Sequence, residues 1–406
     1  MKLLHTSDWH LGRTLYSKKE RQEEHAAFFD WLLKTITENR IDLLLVAGDI
    51  FDTSSPSSSS QKIYYDFLKK VIKSGCQNVV IVGGNHDSPS FLNAPKDILA
   101  VLNVCVVGNV SENIEDEIMV IKEIQDKAVA VVCAVPFLRE RDLSRFVEGE
   151  ACTDRSKRIV ESIRKHYEEV AKIAENKRNE LGENIPIIAT GHLSVVGGKT
   201  CIDDGVRETY IGNIECVSSD IFPQTFDYVA LGHFHIPATI SETVRYSGSP
   251  IPMGFGEAEQ KKSVFVIDFD KNNPKVETIE IPVFQKLESI RGDKSSIENC
   301  LSKLKKNNRS VWLEIIYDGA DVFPDFGMWA NEQVADTKIE ILKLQNRQYV
   351  TEVLTQNDVT QSLDDLDKFD VFDKLLEKNS DKMSAEQKEE LKNSYREIIM
   401  ELYNED

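Results

Sequence analysis

The sequence lacks any apolar run long enough to cross a membrane. No stretch approaches the roughly 18 consecutive apolar residues that a spanning helix needs. The opening residues MKLLHTSDWH contain an apolar patch, but His5 and Asp8 interrupt it, so they do not predict a signal peptide. The seven cysteines include no CxxC pair, a pattern typical of reduced thiols. These absences together predict a cytoplasmic protein that has no membrane partner.

Positive charge is outnumbered by negative charge, with 49 Lys and Arg against 68 Asp and Glu. The formal net charge is −19 at pH 7, which argues against a protein that coats nucleic acid by bulk electrostatics. It leaves room for an enzyme whose affinity for phosphate comes from bound cations and a few local basic residues. A solvated helix face would explain such basic residues equally well. The candidates are Arg13, Lys18, Lys19, Arg21, Arg139, Arg141 and Arg145.

Hydrophobic periodicity predicts an α/β fold over most of the chain. Short apolar runs that end in Gly, Asp or Asn, such as IDLLLVAGD and NVVIVGGNHD, predict strands. Helix-spaced apolar residues lie between the early strands, at 20–39 and 57–74. Later strand-like runs follow one another without long helices, which favours a β-sandwich flanked by helices.

The composition along the chain predicts three domains. Residues 1–275 would form the sandwich domain, 276–355 a small α+β capping domain, and 356–406 a helical tail. The tail has two amphipathic faces that could bind a partner or pack on their own domain. One face contains Phe369, Phe372 and Leu376, and the other contains Leu391, Tyr395, Ile398 and Leu402.

Polar side chains follow the predicted strands at five places. Alternate strand residues share a face, so the spacing of His233 and His235 presents two imidazoles on one side, and Asp8 with His10 repeats that spacing. A glycine precedes four of the five places and permits close backbone approach. The five places are Asp8 to His10, Gly48 to Asp52, Gly84 to Asp87, Gly191 with His192, and Gly232 to His235.

The residue types at these places suit two adjacent divalent cations. Carboxylate, amide oxygen and imidazole together are a ligand set for manganese, iron or zinc. Two cations roughly 3.5–4 Å apart can clamp a phosphate and activate water. Such a pair needs a bridging carboxylate, and Asp49, central in the order, is the natural candidate.

The motifs D-x-H, G-D-x-x-D, G-N-H-D, G-H and G-H-x-H resemble those of the calcineurin-like metallophosphoesterases. The segments LHTSDWHLGR, AGDIFDTSSPS, GGNHDSP and YSGSPIPMGFGEA are similar to those of bacterial nuclease subunits from double-strand-break repair complexes. The resemblance is tight over roughly residues 1–260, and the remainder matches by order and size. It implies the calcineurin-like β-sandwich flanked by helices as the fold.

The resemblance also implies a role for each residue that matches a motif. The ligands of one metal would be Asp8, His10, Asp49 and His235. The ligands of the other would be Asp49, Asn85, His192 and His233. His86 would act on the reacting phosphate without holding a metal, and the Asp52 carboxylate would orient it. Related archaeal and eukaryotic proteins often have histidine where this chain has Asp52.

The function implied is that of a DNA nuclease with two divalent metal ions, manganese foremost. It would cut duplex ends as an exonuclease, and single strands and hairpins as an endonuclease. It would act with an ATPase subunit, as a homodimer within a heterotetramer. Two alternatives stay open at this point: a phosphodiesterase for small molecules, since a metal site alone does not choose the substrate, and a metal-binding scaffold without turnover.

Four further residues have simpler interpretations. His5 lies on the first strand and is expected in the core, whereas His25 and His166 lie in charged helical stretches and are expected to face solvent. Asp87 follows His86 and is expected to cap the helix that starts at Ser88.

Overall fold

The computed structural model describes residues 1–123, 125–143, 152–182, 184–196, 216–269, 274–321, 323, 325–346 and 392. The strands in chain order are β1 (Lys2–Thr6), β2 (Thr14–Leu15), β3 (Lys19–Glu20), β4 (Leu43–Ala47), β5 (Asn78–Val82), β6 (Val104–Val107), β7 (Ile118–Lys122), β8 (Ala128–Cys133), β9 (Ile187–His192), β10 (Tyr228–Gly232), β11 (Ala238–Thr239), β12 (Val244–Tyr246), β13 (Ser263–Asp268), β14 (Lys275–Glu280), β15 (Lys286–Gly292), β16 (Val311–Tyr317) and β17 (Ile339–Asn346).

The helices lie between these strands. In chain order they are α1 (Gln22–Asn39), α2 (Ser58–Lys73), α3 (Pro89–Asn93), α4 (Lys96–Ala100), α5 (Glu140–Leu143), α6 (Cys152–Leu181), α7 (Lys294–Asn307) and α8 (Phe326–Val334). Short 3₁₀ turns lie at Ile114–Glu117, Ser219–Ile221 and Phe255–Glu257. None of the helices in the described ranges is long and apolar enough to cross a membrane.

Two mixed six-stranded sheets form the centre of the fold. The first has the order β14-β13-β1-β4-β5-β6, and the second has the order β11-β12-β10-β9-β8-β7. Neighbours from β1 to β6 pair in parallel in the first sheet, as do β8, β9, β10 and β12 in the second. The remaining neighbours pair antiparallel: β1 with β13 and β13 with β14 in the first sheet, and β11 with β12 and β7 with β8 in the second. A third, three-stranded sheet has the order β15-β16-β17.

The two large sheets face each other across a shared apolar layer. Because alternate residues of a strand point to opposite faces, Leu43 and Leu45 of β4 lie in one cluster with Ala230 of β10, whereas Leu44 and Val46 face helices α1 and α2. All five residues of β4 are buried, as expected for a strand covered on both faces. The predicted α/β sandwich flanked by helices is confirmed.

The third sheet and helices α7 and α8 share a separate apolar cluster, so a small α+β segment is present C-terminal to the sandwich. Strand β14 (Lys275–Glu280) pairs with β13 in the first sheet, so residues up to 280 still belong to the sandwich. The limits 1–275, 276–355 and 356–406 stay predictions. The two amphipathic faces predicted for the tail lie outside the described residues.

Parallel pairing explains why the polar residues meet. The C-terminal ends of β1, β4 and β5 lie at one edge of the first sheet, and those of β9 and β10 lie together in the second. Each of the five polar places predicted from the sequence starts at the end of one of these strands.

Candidate metal centre

The loops that carry the predicted ligands have a strained backbone. Asp8, His10, Asp49 and His233 have φ angles of 52°, 45°, 50° and 101°, in the left-handed region that non-glycine residues rarely adopt. Backbone strain of this kind costs of order 1–3 kcal/mol per residue and concentrates at functional sites. The surrounding structure must therefore hold these residues in place.

Backbone hydrogen bonds between loops provide part of that restraint. Asp8 N–H donates to the Gly48 carbonyl (3.0 Å), and His10 N–H donates to the Asp49 carbonyl (3.0 Å). The loops after β1 and β4 are thereby joined along their length. His25 adds a third tie, because its Nε2 lies 2.8 Å from the Trp9 carbonyl oxygen.

Asp87 ties the loop after β5 to the loop after β4. Its buried carboxylate accepts hydrogen bonds from the backbone N–H groups of Ile50 (3.0 Å), Phe51 (2.9 Å) and Gly84 (2.9 Å). Burial, with the nearby Asp49 carboxylate, raises the pKa of Asp87 to about 6. The helix-cap prediction for Asp87 is wrong: the Ser88 hydroxyl caps α3.

Close approach explains two of the glycines. A Cβ on Gly84 would lie 2.1 Å from Oδ1 of Asp49, and a Cβ on Gly232 would lie 1.9 Å from the Ala47 carbonyl oxygen. Any larger residue at these positions would displace the strand ends that carry the ligands.

The first group of predicted ligands is buried and convergent. One ligand atom from each of Asp8, His10 and His235 lies within 4.8 Å of the others. The Nε2 atoms of His10 and His235 face each other at 3.1 Å, and His10 Nε2 is 3.6 Å from Oδ2 of Asp49. Asp8 is oriented by the backbone N–H of His233, which donates to its Oδ1 (2.9 Å).

The second group meets the first at Asp49. Oδ2 of Asp49 lies 3.2 Å from His192 Nε2, so the same oxygen faces both groups. Oδ1 of Asn85 lies 3.0 Å from His192 Nε2 and 3.2 Å from His233 Nδ1. His192 Nδ1 donates to the Ala47 carbonyl (2.9 Å), which leaves its Nε2 lone pair for the site.

His86 lies beside both groups on the side that faces solvent. It is half-buried, and its ring packs edge-on against the His10 ring, with 4.9 Å between ring centroids. One ligand atom from each of His86, His10 and Asp49 lies within 4.8 Å of the others. The position therefore permits contact with a metal as well as with a substrate, and its predicted role stays a prediction.

The contact between Asp52 and His86 differs from the predicted one. Nδ1 of His86 donates to the backbone carbonyl of Asp52 (2.9 Å) rather than to its carboxylate. The carboxylate instead faces His10 Nδ1 (3.2 Å) and accepts from Arg13 Nη1 (3.0 Å). Burial alone would raise the pKa of Asp52, but His10 and Arg13 bring it well below its usual value. Asp52 thus orients His86 through its backbone and contacts a predicted metal ligand through its side chain.

Two residues at the site were not identified from the sequence. Glu257 is fully buried, with Oε1 at 3.4 Å from His235 Nδ1, and its other oxygen accepts a hydrogen bond from the buried Lys262. Burial would raise the pKa of Glu257, but Lys262 and His235 lower it to about 2. Neither residue has a motif spacing that marks it in the sequence.

The remaining histidines are structural. His5 is in the core as predicted, with Nδ1 3.0 Å from the Tyr228 hydroxyl. The solvent-facing prediction is wrong for His25, which is buried, and for His166, whose Nε2 lies 2.8 Å from the buried Glu117 carboxylate. Both lie on amphipathic helices, where charged neighbours in sequence do not show which face a residue occupies.

The assembled residues fit divalent cations. Burial lowers the pKa of His10 to about 4 and that of His233 to about 3, so both imidazoles are neutral and present lone pairs. Burial would lower the pKa of His192, but the Asp49 carboxylate stabilises positive charge beside it and raises that pKa to about 9. Neutral nitrogens, an amide oxygen and carboxylates that converge in a buried pocket are a metal-ligand set.

Comparison with known proteins agrees with this geometry. Residues 1–237 match the family described as calcineurin-like phosphoesterase, and residues 283–380 match the type 5 capsule protein repressor C-terminal domain. The SbcD subunit of the SbcCD nuclease of Escherichia coli K12 is 34% identical over 383 residues, which cover 93% of this chain and 92% of that protein. Its counterpart in Bacillus subtilis is 31% identical over 273 residues, 66% of each chain.

Solved structures resemble the chain at a lower level. A dimetal phosphatase from Danio rerio is 14% identical with a TM-score of 0.37, and the match covers 70% of this chain and 97% of that one.

The sandwich fold and the two convergent ligand groups are those of a dimetal phosphoesterase. Enzymes of this class are hydrolases. The chain belongs to the calcineurin-like phosphoesterases and, within them, to the family of SbcD nucleases.

The three hydrogen bonds to Asp87 predict a large effect of its removal. In Asp87→Ala, three buried N–H groups would lose their acceptor, so we expect the free energy of unfolding to fall by about 3 kcal/mol or more. Urea denaturation of the metal-free protein measures this. The control is Asp97→Ala, which removes an exposed carboxylate on α4 and should leave stability nearly unchanged. A similar midpoint in both variants would contradict the structural role of Asp87.

Proposed function

We propose that this protein is a two-metal-dependent DNA nuclease that acts with an SbcC-type ATPase subunit in DNA repair and recombination. It would cut duplex ends as an exonuclease, and single strands and hairpins as an endonuclease. The observation that carries the proposal is the shared oxygen: Oδ2 of Asp49 lies 3.6 Å from His10 Nε2 and 3.2 Å from His192 Nε2. A carboxylate so placed can bridge two cations.

The proposed ligands divide around Asp49. Asp8, His10 and His235 would complete one position, and Asn85, His192 and His233 the other. The mixture of oxygen and imidazole nitrogen suits manganese, iron or zinc, of which we propose manganese. When bound, two such cations neutralise phosphate charge and activate water for in-line attack.

The protein's own contribution to the reaction centres on His86. Its Nδ1 is fixed by the Asp52 carbonyl, so Nε2 is the nitrogen left for the substrate. His86 is half-buried, whereas Asp8, His10 and Asp49 are buried, so a phosphodiester would approach from the His86 side. There His86 can donate a proton to the leaving oxygen or hydrogen-bond to the phosphate.

Few of the candidate basic residues are free to bind a DNA backbone. Lys18 donates to the Leu342 carbonyl (2.7 Å), Lys19 pairs with Glu340 (2.8 Å), and Arg21 is buried. The positions of Arg141 and Arg139 are more suitable, and Arg145 lies outside the described residues.

Arg139 is close to the metal centre. Its Nη2 donates to the Asp87 carbonyl (3.3 Å), and its guanidinium lies 5.9 Å from the centre of the Phe137 ring. Phe137 in turn packs edge-on against His192, with 6.2 Å between ring centroids. Arg139 would therefore place positive charge close to the scissile phosphate, whereas Arg13 pairs with Asp52. Such local contacts are compatible with an acidic protein.

A comparison of substrates tests the proposal against a small-molecule phosphodiesterase and a scaffold without turnover. Purified protein with manganese would be offered bis-p-nitrophenyl phosphate, linear duplex DNA and a hairpin oligonucleotide. We expect cleavage of both DNA substrates. Cleavage of the small phosphodiester alone would favour the first alternative, and no cleavage of any substrate would favour the second.

Asp49→Ala tests the proposed bridge. Loss of a carboxylate that contacts both cations should abolish binding at both positions and turnover with it. Asn85→Ala removes a ligand of one position and should retain the other cation. Metal content after gel filtration, measured by mass spectrometry, separates the two results. Two metals retained in Asp49→Ala would exclude it as the bridge.

His86→Gln separates a catalytic residue from a ligand. We expect both cations to stay bound and turnover to fall about 100-fold, the usual scale for a lost acid–base group. His166→Gln serves as the control, because His166 lies on α6 and contacts Glu117, away from the ligand groups. Loss of a cation in His86→Gln would make it a ligand, and near-normal rates would remove it from the reaction.

The tail that the sequence predicts to be helical is the proposed anchor for the ATPase subunit, and the homodimer within a heterotetramer stays a prediction. Deletion of residues 363–406 should leave manganese-dependent cleavage of bis-p-nitrophenyl phosphate intact and abolish co-purification with the SbcC-type ATPase. A truncated chain that still forms this complex with unchanged affinity would show that the anchor lies elsewhere.

A further inference from the structure

Two carboxylate–imidazole pairs face each other across one of the proposed metal positions. Oδ1 of Asp52 lies 3.2 Å from His10 Nδ1, and Oε1 of Glu257 lies 3.4 Å from His235 Nδ1. The opposite nitrogens of the two rings, both Nε2, are 3.1 Å apart. The two pairs are distant from each other in sequence. In each of them, however, a carboxylate oxygen faces Nδ1 of an imidazole whose Nε2 faces the other pair.

A basic side chain lies behind each carboxylate. Arg13 Nη1 donates to Oδ1 of Asp52 (3.0 Å), and Lys262 Nζ donates to Oε2 of Glu257. Lys262 also donates to the His235 carbonyl oxygen (2.9 Å), so it contacts both members of its pair. Glu257 is fully buried and Lys262 is 4% exposed. The second arrangement is therefore the more rigid and the better shielded from water.

The geometry determines which nitrogen of His235 can bind a cation. Oε1 of Glu257 and Nδ1 of His235 are both buried and form no hydrogen bond in the described part of the chain, but they lie 3.4 Å apart, so each is placed to pair with the other. A carboxylate oxygen only accepts, so it favours the tautomer with the proton on Nδ1. The Nε2 lone pair of His235 then faces the Nε2 lone pair of His10, an arrangement that a shared cation stabilises.

We propose that Glu257, held by Lys262, is a positioning residue that fixes the tautomer and ring orientation of His235 for metal binding. This inference rests on the two-metal site of the proposed function. Such carboxylate–histidine contacts commonly alter metal affinity by 10- to 100-fold. The effect should be confined to the cation bound by His10 and His235, because the Glu257 carboxylate faces His235.

Glu257→Gln is the informative variant. The Met253 N–H donates to Oε2 (3.0 Å) and Lys262 Nζ donates to the same oxygen, so the amide oxygen of glutamine would take that position. Its NH₂ group would then face His235 Nδ1 and donate to it. This favours the tautomer with the proton on Nε2, which has no lone pair there for a cation.

Manganese titration calorimetry measures the consequence. We expect two binding events in the wild-type protein, and in Glu257→Gln we expect one of them to weaken about 10- to 100-fold while the other is unchanged. Glu259→Gln is the matched control, since it makes the same chemical change at an exposed residue two positions along. Lys262→Met should weaken the same event, and Lys261→Met, at a residue 80% exposed, should not.

Nitrogen-15 NMR of the metal-free protein gives a readout that a purely structural role would not change. The ring signals of His235 should show the proton on Nδ1 in the wild type and on Nε2 in Glu257→Gln. A wild-type ring protonated on Nε2 would overturn the proposal even if the variant does not fold. Unchanged affinity at both positions in a folded Glu257→Gln would overturn it as well. Neither measurement involves DNA, so two manganese ions bound without DNA cleavage would count against the proposed function alone.

Discussion

The structure depends on one unfavourable arrangement, the burial of two carboxylates beside each other. Asp8 and Asp49 are 0% and 2% exposed, and one oxygen of each lies within 4.8 Å of the other. Buried charges are tolerated only when opposite charge and hydrogen bonds compensate them. Here backbone N–H groups and imidazoles provide part of that compensation, and divalent cations would provide the rest.

The strained backbone and the glycines follow from the same requirement. Ligand atoms from two sheets converge only if the chain turns sharply at each strand end, which explains the left-handed backbone of Asp8, His10, Asp49 and His233. The strain is held by bonds that join one loop to the next, above all the three N–H groups that donate to Asp87. The fold therefore fixes the relative positions of the proposed ligand side chains, which is the preorganisation that catalysis requires.

The sequence alone pointed to the candidate ligands, because metal binding restricts the residue types that can serve. Few residue types bind divalent cations, so Asp8, His192 and His233 were recognisable once glycines and strand ends surrounded them, and the structure brings them together. The roles of Asp87 and Glu257 were not recognisable, because their partners are backbone N–H groups or a histidine in another loop. The prediction that His25 faces solvent was wrong for a related reason. Burial of one helix face depends on tertiary packing, and charged neighbours in sequence do not indicate which face is buried.

The small α+β segment packs against elements that lie next to the predicted metal ligands. The chain that follows His10 forms the β2–β3 ribbon, where Leu15 packs in one apolar cluster with Phe255, Leu287, Trp312 and Leu342. Phe255 also begins the 3₁₀ turn that ends at Glu257.

The same cluster thus supports both carboxylate–imidazole pairs, through the Arg13 loop on one side and the Glu257 turn on the other. Tyr16 reinforces this contact, because its ring stacks on Phe255 with 5.2 Å between centroids and Lys343 lies 5.1 Å above it. The segment C-terminal to the sandwich therefore packs directly against the elements that carry both pairs.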